Sequence, residues 1–170
     1  PRSTPSNSSA ASDVYKRQVQ ALPRQYTRPP VPTETDFVFG DQIRLIGYEM
    51  KPGEAKLEIT FYWQALRRME QSYKTFVHLS PVGQSGSHAL VTQYDGIPRN
   101  WSYPTLWWDE GEIVTDTITL DIEGVKPGRY EIAVGMYDED TLKRLPVTDR
   151  SGVALPNRKL ILPTITIETQ

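Results

Sequence analysis

Lys56-Leu57-Glu58-Ile59-Thr60-Phe61-Tyr62-Trp63 sets Leu57, Ile59, Phe61 and Trp63 alternately against Lys56, Glu58, Thr60 and Tyr62. A period of two over the whole stretch puts every second side chain on one face, so it predicts a strand with one side in a core. Upstream, residues 42–48 form an apolar run between Gly40-Asp41 and Lys51-Pro52-Gly53, a strand between two turns. Downstream, residues 73–80 place Thr75, Val77 and Leu79 on one face and Phe76 and His78 on the other. A Gly/Ser-rich link at 83–87 leads to another strand at 89–94, and residues 113–122 are rich in Thr, Ile and Val, which suit a pleated surface. Lys126-Pro127-Gly128 then turns into 129–137, where Tyr130, Ile132, Val134 and Met136 alternate with Glu131, Ala133, Gly135 and Tyr137. Residues 143–147 form a short returning edge after the turn at 138–141, since Pro146 has no N–H for a central ladder, and 161–168 close the pattern. Short strands, turn signals about every ten residues and no sustained helical period make the chain all-β. The expectation is an antiparallel β-sandwich of seven or eight strands, immunoglobulin- or fibronectin-like, with a jelly roll as the second choice.

A chain of 170 residues is long enough for one core with an appendage. The formal net charge of −2 is unevenly spread: Arg2, Lys16, Arg17, Arg24 and Arg28 face only Asp13 in the first 28 residues, which leaves the remainder acidic. A mildly acidic folded part with scattered cations argues against a nucleic-acid partner, which needs a concentrated basic face. The absence of cysteine removes disulfides, thiolate nucleophiles and thiolate metal sites. No apolar run approaches the roughly 20 residues of a membrane helix. Residues 1–18, dominated by Ser, Pro, Thr and Asn, cannot support a packed element, and Ser-Ser-Ala-Ala-Ser-Asp-Val-Tyr-Lys-Arg-Gln resembles a translated sequencing adaptor. Residues 19–32, with Pro23, Pro29, Pro30 and Pro32, read as a Pro-rich linker, so the sandwich domain is expected at 33–170. With no initiator Met and no signal-peptide apolar region, the chain is expected to be a soluble fragment of a longer protein.

Three of the four tryptophans lie between Asn100 and Glu112, in a run whose Pro, Asn, Ser and Gly content predicts a loop. Rings held on a loop either cap a core or contact a ligand. Adjacent residues on an extended segment point opposite ways, so at most one of Trp107 and Trp108 plugs the core while the other faces outward, unless a bulge intervenes. Sugar CH faces stack on Trp and Tyr while polar side chains take the hydroxyls, which makes Tyr94, Arg99, Asn100, Trp101, Tyr103, Trp107, Trp108 and Asp109 the candidate ligand-binding residues. Trp63 and Tyr130 sit on alternating strands and are expected in the core.

In order and spacing, FGDQIRLIGYEM, ITFYWQAL, SYKTFVHL, QYDGIPRNWSYPTLWWDEGEIVTD and PGRYEIAVGMYDEDTLKRLPV resemble a β-sandwich module. The module is the one at the carboxy-terminal end of large bacterial membrane glycosyltransferases similar to dolichyl-phosphate-mannose protein mannosyltransferases. The resemblance covers about residues 37–150 and implies an accessory role outside the cytoplasm, near the membrane, with the transfer chemistry in a transmembrane part. The Gly/Ser-rich link at 80–88 is longer than the tight hairpin of that family. Partners implied are a glycan or lipid-linked sugar and the membrane domain of the same parent chain. The first expectation is therefore a non-catalytic extracytoplasmic accessory domain, tethered to the membrane through its missing N-terminal region. A purely structural or protein-interaction module is the alternative, and would show an apolar exposed sheet face.

A glycan-active enzyme is the third reading and needs two carboxylates facing each other across a cleft. Asp109, Glu110, Glu112 and Asp116 stand near the aromatic run, but Asp109-Glu110-Gly111 reads as a turn, and Glu112 and Asp116 as solvent-facing strand residues. No Ser-His-Asp signature, phosphate-cradling loop or dinucleotide fingerprint appears, and no cofactor is expected. His78 and His88, the only imidazoles, lack a third zinc ligand. Asp138-Glu139-Asp140 offers oxygen ligands of the kind calcium takes, although hairpin turns favour Asp for backbone reasons alone. No metal site is assigned.

Overall fold

The computed structural model describes residues 23–84 and 86–168; the adaptor-like stretch 1–18 and the first residues of the Pro-rich segment, 19–22, lie outside them. Among the described residues nine strands appear in the order β1 (Thr33–Phe39), β2 (Ile43–Pro52), β3 (Lys56–Ala65), β4 (Tyr73–Pro81), β5 (Thr92–Gly96), β6 (Ile113–Asp121), β7 (Gly128–Asp138), β8 (Val147–Thr148) and β9 (Leu160–Ile167). They form two antiparallel sheets, β6-β3-β2-β1-β8 and β5-β4-β7-β9, packed face to face as a sandwich.

The alternation that predicts β3 is realised: Leu57, Ile59, Phe61 and Trp63 are fully buried, and Lys56 and Glu58 are exposed. Opposite them, Val77 and Leu79 of β4 and Ile132, Val134 and Met136 of β7 complete the core. Phe39 and Trp63 pack edge to face with ring centroids 5.3 Å apart, an arrangement that suits the opposite charges of ring edge and face. Tyr130 is buried as expected.

The strand count exceeds the expected eight because of β1. Its burial rises gradually from exposed Thr33 to buried Phe39 without alternating, and its register with β2 shifts between Glu34 and Phe37, so no period of two marks it. The returning edge expected at 143–147 is split: Arg144 bridges Tyr137 of β7, and the chain then crosses to the other sheet, where β8 pairs with the end of β1.

The described part of the Pro-rich segment is not a free spacer, for it lies against the sandwich. The backbone carbonyl of Gln25 accepts the N–H of Ile113 at 2.7 Å, and Arg24 forms an ion pair of 2.7 Å with Glu112. Tyr26 donates its hydroxyl to Asp109 at 2.8 Å, and Arg28 reaches the Ile46 carbonyl at 3.4 Å. Residues 23–32 thus act as a strap fastened to the start of β6.

Candidate functional site

The aromatic segment joins β5 in one sheet to β6 in the other, and it divides into a display turn and a cap. The display turn, Pro98–Trp101, is held by N–H bonds from Trp101 to the Ile97 carbonyl (2.9 Å) and from Tyr103 to the Pro98 carbonyl (3.1 Å). Arg99, Asn100 and Trp101 all take left-handed backbone angles, with φ of 55, 53 and 67°. For residues bearing a Cβ this conformation costs roughly 1–2 kcal/mol each, so specific contacts must impose it. The contacts converge on Arg99. Its N–H donates to Asp116 Oδ1 at 2.7 Å, its side-chain Nε to the Thr115 carbonyl at 3.3 Å, and its carbonyl accepts the Ser102 hydroxyl at 2.6 Å. The guanidinium also lies 4.9 Å from the Tyr103 ring centre.

With Arg99 fixed, the next two residues face outward. Asn100 is exposed and Trp101 is 53% exposed, with Lys74 Nζ 5.0 Å from its ring centre. A side chain at Gly96 would overlap both the Tyr94 hydroxyl and Trp101 Nε1, so glycine is what lets the two rings close over the end of β5. Tyr94 is half-buried, its hydroxyl donates to the Ile97 carbonyl at 3.3 Å, and burial pushes its pKa up to about 12.

The cap takes the remaining large rings. Trp108 is 1% exposed and donates its indole N–H to the Tyr103 carbonyl at 3.2 Å. Tyr103, equally buried, donates its hydroxyl to Glu112 Oε1 at 2.8 Å, and burial followed by that bond raises its pKa. The other Glu112 oxygen accepts Arg24 and the Asp109 N–H. Asp109 accepts Tyr26 and Arg68 Nε (2.7 Å), and these two bonds hold its carboxyl below the usual range. Trp107 is half-buried against the core edge. Thr105–Trp107 form a helical turn rather than extended chain, so strand alternation does not set the pair: Trp108 is buried in the core and Trp107 packs half-buried against its edge. Of the eight sequence-derived residues, Tyr103 and Trp108 belong to the cap, Trp107 to its edge, Asp109 to the strap junction, and Tyr94, Arg99, Asn100 and Trp101 to one surface.

The reading of Glu112 and Asp116 as solvent-facing is corrected: Glu112 is 2% exposed and Asp116 fully buried. Asp116 falls on the inward face of β6 with Val114, Ile118 and Leu120, so the period of two predicts its burial, whereas its charge suggested the opposite. Burial raises its pKa to about 6, against the pull of the Arg99 N–H bond. The Trp63 indole is near enough to favour the ionised form but falls short of hydrogen-bond geometry, leaving that N–H and Asp116 Oδ2 without such a bond among the described residues.

The other residues singled out by sequence have local roles. Asp138 Oδ1 accepts the N–H groups of Asp140 (2.8 Å) and Thr141 (2.9 Å), which closes the turn and lowers its pKa. His78 Nε2 lies 3.2 Å from Asp95 Oδ2, and His88 is exposed in the turn Ser87–Ala89. Among the described residues no three His, Asp or Glu side chains converge as a metal site would require. No helix among them is long and apolar enough to cross a membrane.

No family model matches the chain, and no curated protein sequence does. Among solved structures it is similar to the C-terminal domain of wzt, with a TM-score of 0.50 and 10% identity, over 85% of this chain and 92% of that chain. The likeness is one of fold. At that identity it supports the β-sandwich and carries no residue roles across.

Proposed function

We propose that the chain is a non-catalytic accessory domain, carried outside the cytoplasm by a membrane glycosyltransferase, that contacts a glycan or lipid-linked sugar. One observation carries the reading: an exposed Trp101 presented by three consecutive left-handed residues, with Asn100 beside it and Lys74 at its ring. Backbone strain is kept where surrounding contacts over-determine it, and such places are enriched at ligand sites. A flat ring flanked by an amide and an ammonium group suits a sugar, whose CH face stacks while its hydroxyls bond to the neighbours. The resemblance to glycosyltransferase modules points to the same ligand class and to the location.

The docking-module reading finds no apolar face on the first sheet among the described residues. The outer surface of the β6-β3-β2 sheet carries Glu58, Thr60, Thr117 and Thr119, with the Thr60 and Thr117 hydroxyls bonded at 2.9 Å, and so is polar. Catalysis has no support from Glu112 or Asp116, since both are buried and bonded within the fold. The test is a bacterial glycan array probed with the full chain and with Trp101→Ala. Binding by the parent and its loss in the variant, at unchanged melting temperature, is the expected result; an array with no bound glycan overturns the reading.

A further inference from the structure

Trp101 stands at one end of a longer face of mixed polar and aromatic character. On β4, Lys74, Phe76, His78 and Ser80 point away from the core, and the register places Tyr137, Gly135, Ala133 and Glu131 of β7 beside them in that order. A groove of about 390 Å³ opens over the far half of this face, lined by polar His78, Ser80, Glu131, Arg144, Asn157 and Lys159 and by apolar Phe76, Leu90 and Ala133.

The groove walls are held in position. A methyl at Gly135 would overlap the Phe76 ring, so the absence of a side chain there lets the ring lie flat over β7. The Arg144 guanidinium sits 4.5 Å from the centre of that ring, donates Nη1 to the Asn157 carbonyl at 3.2 Å, and has its own carbonyl bonded by Arg158 Nη1 at 2.9 Å. Asn157 and Arg158 are both left-handed, with φ of 58 and 51°. His78 rests 4.9 Å from Phe76 and is oriented by Asp95. As at Trp101, strained residues without glycine hold a cation and a ring in place.

We infer that the groove is a second sugar-unit subsite and that the ligand is an oligosaccharide laid along β4 from Trp101 to Arg144. The inference rests on the glycan reading above. Its chemistry follows from the mixed signs of the wall. Arg144 and Lys159 donate, Glu131 accepts, and a neutral pyranose has hydroxyls for both and a CH face for Ala133. An anion would meet the Glu131 carboxylate, and an apolar ligand would leave these groups unpaired. Lys74 to Ser80 spans about 20 Å at roughly 3.3 Å per residue, farther than one sugar unit reaches. A chain occupying both ends gains from effective concentration, so affinity should rise by about 10²-fold once its length covers the span.

The experiment titrates the full chain with size series, monosaccharide to hexasaccharide, of the glycans that the array identifies. Trp101→Ala weakens every member. Glu131→Gln and Lys159→Ala, with melting temperatures checked first, each weaken the long members about tenfold and leave the short ones unchanged. Trp101-dependent binding that ignores both length and the two groove variants overturns the second subsite alone. A groove variant that weakens short and long members equally also overturns it. No binding at any length instead overturns the glycan reading beneath it.

Discussion

Lowering the pH from about 7.5 to about 5 should stabilise this fold, because Asp116 is held ionised in an unfavourable place. Its pKa is raised from 3.8 to about 6 by burial, with the Arg99 N–H bond only partly compensating. Between those two values the folded chain binds a proton that the unfolded chain does not. Stability therefore rises as pH falls through about 6, and the gain is complete near 3.8. At about 1.4 kcal/mol for each pH unit between the two values, the ionised carboxyl costs the fold about 3 kcal/mol at neutral pH. For a domain of this size the full cost corresponds to about 6–10 °C in melting temperature, of which acidification to about pH 5 recovers about half. Asp109 and Asp138 do not confuse the window. Their pKa values are lowered by bonds to Tyr26 and to the Thr141 N–H, so the stability they contribute above 3.8 is lost only as pH falls further. Asp116→Asn isolates the group: its Oδ1 still accepts the Arg99 N–H, while its NH₂ faces the Trp63 indole N–H, a donor against a donor. The variant should be about 1–3 kcal/mol more stable at neutral pH and should lose most of the pH dependence across this window. The assay is thermal unfolding of both proteins at several pH values. A melting temperature that falls with acidification in both proteins alike would refute the argument.

The strap should matter to stability: Arg24→Ala leaves the buried Glu112 carboxylate without its cation and should cost about 2–4 kcal/mol, read by urea unfolding. An unchanged midpoint would mean that the strap adds nothing to the folded state. Trp108→Ala should cost about 3–5 kcal/mol, whereas the exposed Trp101→Ala should change the melting temperature by less than about 2 °C. Equal losses would contradict the division into cap and display turn. Gly135→Ala should displace the Phe76 ring and cost about 1–3 kcal/mol, with near-ultraviolet circular dichroism reporting the altered ring environment.

What the sequence reveals here depends on whether local pattern and tertiary contact agree. β3 and β7 announce themselves because the inward face of β3 is wholly apolar and that of β7 is apolar from Tyr130 to Met136, and a period of two survives any environment that buries that face. β1 does not, because the bulge between Glu34 and Phe37 breaks the alternation that a sequence reader counts. The strap hides for another reason: Pro23, Pro29 and Pro30 describe an extended chain, and nothing local reports that Arg24 has a buried carboxylate 88 residues away. Asp116 is legible by position although its charge points the other way. Its place between Val114 and Ile118 fixes its side of β6, and a charge at an inward position marks a group with a specific task more often than an error in the pattern. The task is visible next door, where the Asp116 carboxylate takes the one N–H that locks Arg99 left-handed and so sets the direction of Trp101. The groove beside Arg144 was beyond sequence reasoning altogether. Its walls come from β4, β7, the crossing after Leu142 and the turn Pro156–Arg158, brought together only by the register of the second sheet. Local pattern thus gives the faces of single strands, while a surface assembled from several elements appears only once the sheets are paired.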